Sequence, residues 1–170
     1  MKKPRYLLLK WLTCYVISRK AELFVSITSD RSRARRYAVQ ALYEWQVSGN
    51  VPKEIEQQFL IEHHTRKFDR PYFHELLSGV AEKVEELDAK ISPLSVRPYD
   101  EVDIVEKAIL RLGCFELMTR VDIPYRVVIN EAIELTKTFG ADQAHKFING
   151  TMDKLADELR KAEVAAKKGG

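Results

Sequence analysis

The chain has 170 residues, with 28 Lys/Arg against 25 Asp/Glu for a net charge of +3, and this is enough for one ordinary domain with its own core. Seven glycines and six prolines are too few for a collagen-like, linker-dominated or turn-rich all-β chain, and two cysteines, Cys14 and Cys114, are too few for a disulfide scaffold. The charge is lopsided: residues 1–40 hold ten basic side chains against two acidic (net +8), and the remainder hold eighteen against twenty-three (net −5), as expected of a protein that touches a polyanion with one end.

Residues 1–29 read differently from the rest. Lys2, Lys3 and Arg5 precede Leu7, Leu8 and Leu9, but Lys10 interrupts the apolar run and no small-residue cleavage site follows. The longest uncharged stretch, Trp11 to Ser18, is far short of the ~20 residues that span a bilayer. No membrane association is expected. The segment is read as an N-terminal extension of doubtful status, the product of a start assigned too far upstream. No Met occurs between Met1 and Met118, so translation from the true start would use a non-standard codon, for instance at Leu23 or Val25.

From Asp30 the chain reads as helices with short punctuation. Ser29 or Asp30 is expected to cap a first helix with apolar face Ala34, Ala38, Ala41, Leu42 and Trp45, ending at Gly49-Asn50. Pro52 opens a short second helix carrying Ile55 and Phe59. Asp69 and Pro71 open a third, whose stripe Phe73, Leu76, Leu77, Val80, Val84, Leu87 and Ile91 keeps 3–4 spacing until Pro93 and Pro98 break it. Asp100 to Asp103 place acids before a fourth helix carrying Val105, Ala108, Ile109, Leu112 and Phe115. Pro124 begins a fifth, with Val128, Ile129, Ala132, Ile133 and Thr136 on one face and Gly140 as stop. A sixth runs from about Ala141 to Lys161, with Ile148, Met152, Leu155 and Leu159 inward. The expected fold is all-α: a compact bundle of about six to seven helices over residues 30–163, either divided into two small subdomains at the Pro-rich stretch 93–98 or built on one shared core, with 164–170 as a flexible tail.

Catalytic signals are sparse. There is no Gly-rich phosphate loop, C-x-x-C pair or G-x-S-x-G elbow. His74-Glu75 begins like a zinc-protease helix, but Ser78 stands where the second His would be. His63, His64, Asp69 and His74 read as a solvated surface rather than a metal site, and Cys114, among Leu112, Phe115 and Leu117, as a buried small hydrophobe. Asn149-Gly150-Thr151 is a glycosylation sequon without meaning in a reducing cytosol, the expected location. An enzyme is not expected, nor a metal or cofactor.

A nucleic-acid role is better supported. Arg31, Arg33, Arg35 and Arg36 fall within six residues at the start of the first helix, where positive charge opposes the helix dipole and implies an external anion. Guanidinium groups bind phosphate bidentately and stack on unpaired bases, which suits single-stranded RNA. Tyr37 and Tyr43 on the same helix add stacking surface.

The segment Arg33-Ala-Arg-Arg-Tyr-Ala-Val-Gln-Ala-Leu-Tyr-Glu-Trp-Gln46 resembles the opening helix of the NusB family of bacterial transcription antitermination factors. Val105-Glu-Lys-Ala-Ile-Leu-Arg-Leu112, Pro124-Tyr-Arg-Val-Val-Ile-Asn-Glu-Ala-Ile-Glu-Leu135, Thr136-Lys-Thr-Phe-Gly140 and His145-Lys-Phe-Ile-Asn-Gly150 with Asp153-Lys154 extend the resemblance over about residues 31–160. It implies two small helical bundles. It also implies a partnership with the small-subunit ribosomal protein that doubles as NusE, binding of the boxA element of nascent RNA, and entry into an RNA polymerase antitermination complex that reads through terminators, chiefly in ribosomal RNA operons. By resemblance, Arg33, Arg35, Arg36 and Tyr43 lie on the RNA-facing first helix. Lys146 and Phe147 match a segment associated with RNA, and Glu106 lies in the helix associated with the protein partner. Gln143 stands where the family often has an acid, a loss of negative charge expected to strengthen RNA binding. Two rivals remain at this point: a purely protein-binding helical scaffold, and an RNA-binding module related to the N-terminal domain of ribosomal RNA cytosine methyltransferases.

Overall fold

The computed structural model describes residues 28–168. The leader reading, with its start at Leu23 or Val25, lies outside the described residues except for 28 and 29. The first helix, α1, covers 28–48. It is followed by α2 (Pro52–Glu62), α3 (Arg70–Glu82), α4 (Val84–Ile91), single 3₁₀ turns at Ser92–Leu94 and Tyr99–Glu101, α5 (Ile104–Thr119), α6 (Tyr125–Phe139), α7 (Ala144–Leu159) and α8 (Lys161–Lys168). No strand occurs among the described residues.

The starts follow the sequence chemistry in most places. Asp69 Oδ1 accepts the Tyr72 N–H at 3.0 Å and Pro71 sits in the first turn of α3. Asp103 Oδ1 accepts the Val105 N–H at 2.8 Å to cap α5, and Pro52 opens α2. The start of α1 differs from expectation. The backbone is helical by residue 28, so Ser29 and Asp30 lie inside the helix rather than at its N-cap. The cost to the helix dipole assigned to the arginines falls accordingly, since that effect is confined to the first turn.

Two other boundaries are corrected. The stripe expected as one helix from Asp69 to Ile91 is two helices, because Lys83 leaves helical torsions (φ −107°, ψ 16°) and serves as C-cap of α3 and N-cap of α4. The break still leaves Leu76, Leu77, Val80, Leu87 and Ile91 in the core. The expected tail is helical through Lys168, anchored by the buried Val164 and by Glu163, which accepts the Tyr125 N–H at 3.1 Å.

At the centre lies α5. From Ala108 to Leu117 every residue except Arg111 is buried, so the helix has no wet face and is walled in by its neighbours. It packs on α3, α4, α6 and α7, and α1 is bonded to it by Arg35 at one end and Gln46 at the other. The α3–α5 crossing is close: a Cβ at Gly79 would lie 2.3 Å from the Phe115 ring. A single contiguous core joins both halves, from Ala34 and Phe73 to Ile148 and Leu155. Apart from residues 92–103 between α4 and α5, the connections are short, and α1 keeps one long outer face.

Candidate nucleic-acid interface

The 3.6-residue period sorts the side chains of α1 into two faces. Ala34, Ala38, Ala41 and Leu42 are fully buried. Arg33, Arg36, Gln40, Tyr43 and Val47, spaced by three or four residues, form an outward ridge about 21 Å long at ~1.5 Å per residue. Arg36 and Val47 are exposed, and Tyr43 keeps 44% of its surface in solvent. Arg33 is exposed and steadied by Asp30 Oδ1 (2.9 Å) and Ser29 Oγ (2.8 Å).

Arg35 is elsewhere. Only 3% exposed, it points into the core, where its Nε and Nη2 donate to Glu116 Oε1 (3.0 and 2.8 Å) and Nε also reaches Oε2 (3.1 Å). Nη2 donates to Tyr72 Oη at 3.2 Å, the Tyr72 hydroxyl donates to Glu116 Oε1, and Nη1 lies 3.6 Å from Glu131. The reason is register. Arg35 precedes Ala38 and Leu42 at i+3 and i+7, which places it on the buried face. Burial opposes its charge, but Glu116, Tyr72 and Glu131 more than offset this and hold its pKa above the ordinary arginine value. Burial, reinforced by Glu116, pushes the Tyr72 phenol well up, so it stays a donor.

Arg31 is intermediate. It is half-buried against Asp69 (3.6 Å) and Asp122 (3.8 Å), with its guanidinium 5.1 Å from the Tyr72 ring centre. Of the four clustered arginines, two therefore face outward, one is shared with carboxylates and one is part of the core. The outward pair is what a phosphate backbone would meet.

The far end of the ridge leads to the other predicted residues. Tyr43, Val39 and Val47 form one wall, and Val105 and Phe139 another, of an open, mostly apolar groove of about 490 Å³. Next to Val105, Glu106 is buried and accepts from Arg97 at 2.6 Å. The Arg97 guanidinium stacks over the Phe147 ring, 3.7 Å from its centre. Glu106 and Phe147, read separately in the sequence, thus meet through Arg97. No pattern in the Pro-rich segment 93–98 singles out Arg97, so sequence reasoning passes over it. Lys146 and Gln143 are exposed, and Gln143 adopts the left-handed conformation (φ 69°) that opens α7.

No three His, Cys, Asp or Glu side chains converge on a metal-binding arrangement among the described residues, and His74 Nδ1 lies against the Glu56 carboxylate at 2.8 Å. Burial pushes the Cys114 thiol up to about 12, which keeps it neutral and inert. In a Cys14→Ser chain at pH 8, maleimide is expected to label Cys114 no faster than the protein unfolds and completely in denaturant. Rapid labelling of the native protein would contradict this. No helix among the described residues is long and apolar enough to cross a membrane.

Comparison with known proteins matches residues 32–157 to the NusB family. A transcription antitermination protein NusB from Alcanivorax borkumensis is 52% identical over 143 residues, 84% of this chain and 95% of that protein. One from Shewanella piezotolerans is 58% identical over 127 residues, 75% and 94%. Among solved structures, NusB from T. maritima superposes with a TM-score of 0.67 at 28% identity, covering 79% of this chain and 96% of that one. A crystal structure of antitermination factors NusB and NusE in complex with dsRNA gives 0.69 at 28% identity, covering 76% and 98%.

Proposed function

The chain belongs to the NusB family, and from that premise we propose that it acts in the cytoplasm by laying single-stranded boxA RNA along the outer ridge of α1, together with NusE. It is a transcription antitermination factor and not an enzyme. On this reading the complex it forms joins RNA polymerase and carries it through terminators in ribosomal RNA operons. Residues 30–163 suffice, in keeping with the family match over 32–157.

The observation that carries the reading is the stripe Arg33, Arg36, Gln40 and Tyr43, two outward guanidiniums and one exposed ring on a single helical row. Arginine forks neutralise phosphates, and the tyrosine face stacks on an unpaired base. Arg31 contributes in part, because Asp69 and Asp122 already draw on its charge. Lys146 and Phe147 extend the path at the far end, with Phe147 held flat under Arg97. The neutral Gln143, exposed beside them, removes a charge that would repel phosphate. Glu106, being buried, acts on the NusE side by fixing Arg97 rather than by direct contact. Arg35 has no part in binding RNA.

Fluorescence anisotropy with a labelled boxA RNA, with and without NusE, tests this. Arg33→Ala with Arg36→Ala is expected to weaken binding about tenfold. The plot of log affinity against log salt should become shallower by about 1.4, at roughly 0.7 for each single-strand phosphate that is no longer neutralised. An unchanged slope, or equal affinity for an unrelated duplex RNA, would refute it.

A further inference from the structure

We infer that the turn between α2 and α3 is a second row of RNA phosphate contacts, in which Arg66 and Lys67, flanked by Arg70, extend the Arg33–Arg36 end of α1 sideways. The inference rests on the RNA reading of α1 and names a surface which that reading does not include.

The turn is fastened to α1. The Asp69 N–H donates to the Asp30 carbonyl at 3.2 Å. Tyr37, on the flank of the ridge, stacks on the His63 ring with centroids 4.3 Å apart and planes 23° from parallel, and meets Phe68 edge-on at 4.9 Å. Phe68 is buried against Phe73. Internally, the Arg66 N–H donates to the His63 carbonyl (2.9 Å) and Arg70 Nη2 to the His64 carbonyl (3.0 Å). The backbone is thus held at both ends and in the middle, while Arg66, Lys67 and Arg70 remain exposed. Ordering cost is largely met before any ligand arrives, which favours tight binding.

The charge balance of this surface is decided by which acids already have partners. Asp30 pairs with Arg33 at 2.9 Å and lies 3.5 Å from Lys67. Asp69 accepts the Tyr72 N–H and faces Arg31, and Glu62 accepts from Gln58 at 3.0 Å. Arg33 and Lys67 share the one Asp30 carboxylate, so the surface made by Arg33, Arg36, Arg66, Lys67 and Arg70 keeps an excess of positive charge. A solvated basic turn would need no stacked rings beneath it to fix its position. Continuity with the ridge that carries Tyr43 favours a polyanion with bases to stack, an RNA strand, over an acidic protein.

The experiment uses the full chain, the same labelled boxA RNA and three proteins: wild type, Arg66→Ala with Lys67→Ala, and Arg33→Ala with Arg36→Ala. Arg70 is kept because it holds the His64 carbonyl. The turn variant is expected to bind roughly fivefold to tenfold more weakly at ~0.1 M salt, with a slope shallower by about 1.4 and an unchanged thermal melt. Should that melt shift, Arg66→Gln with Lys67→Gln removes the charges with less loss of side chain and gives the same readout. Unchanged affinity and slope in the turn variant, with weakening only in the α1 variant, would overturn the inference and leave the α1 reading standing. Unchanged binding in both would overturn the two together. Displacement of the RNA by polyglutamate as readily as by unlabelled RNA would mark an acidic-protein surface and also overturn it.

Discussion

Replacing Arg35 with methionine is expected to lower the unfolding free energy by about 3–5 kcal/mol, although an exposed arginine on the same helix, Arg36, costs less than about 0.5 kcal/mol when truncated. The side chain deleted is not the main source of the loss. Glu116 is fully buried and accepts three hydrogen bonds from Arg35, so removing the guanidinium leaves a carboxylate in the core with, among the described residues, only the Tyr72 hydroxyl donating to it. Such a charge cannot find water without opening the α1–α5 interface. Removing the whole polar group should therefore rescue most of the loss: Arg35→Met, Glu116→Leu and Tyr72→Phe together are expected to lie within about 2 kcal/mol of wild type. Urea denaturation of the four proteins measures this. A single-variant loss below about 1 kcal/mol would show that the pair is not desolvated. The same Arg35→Met protein, assayed where it is folded, should keep wild-type RNA affinity, which separates the core arginine from the outward pair beside it.

This contrast shows what can be read from the sequence. The helices α2, α5 and α6 are legible because Pro52, Asp103 and Pro124 mark their starts and apolar residues recur with the helical period. The position of Arg35 is also legible: the spacing that assigns Ala38 and Leu42 to the core assigns Arg35 with them, and Glu116, between Phe115 and Leu117, is its counter-charge on another buried face. Reading the four arginines as one cluster hides this. The break at Lys83 is not legible, because neither Pro nor Gly marks it and the apolar stripe continues across it. Nor is α8, where Val164 is the one buried residue among those whose burial is described and leaves no periodic signal. At the site, the ridge is legible from Arg33, Arg36 and Tyr43, but the link from Glu106 to Phe147 is not. It depends on Arg97, a residue of an irregular segment whose placement is set by tertiary packing.

Arg160 presents a different kind of dependence, and its replacement should be harder to rescue. It is buried at the end of α7, and its guanidinium donates to four backbone oxygens at the end of α5 and the turn after it: Leu117 (2.6 Å), Arg120 (2.8 Å), Glu116 (3.3 Å) and Ile123 (3.4 Å). A positive charge there also suits the negative end of the α5 dipole. The Glu116 and Arg120 oxygens keep backbone donors, from the Arg120 N–H at 2.9 Å and the Ile123 N–H at 3.0 Å. For the oxygens of Leu117 and Ile123, the guanidinium is the donor. Arg160→Met is expected to cost about 3–4 kcal/mol, from the removal of charged hydrogen bonds and from carbonyls left dry. Arg160→Lys should recover only part of it, because one ammonium cannot span four acceptors arranged for a planar fork. Unlike the Glu116 carboxylate, these acceptors are main-chain atoms, so no second substitution can delete them. The loss should also be local in hydrogen exchange: amides in the last turn of α5, and in α8, which Glu163 ties to Arg160 at 3.0 Å, should lose protection before those of α1. Uniform loss across all helices, or full recovery with lysine, would show that Arg160 contributes only volume and charge.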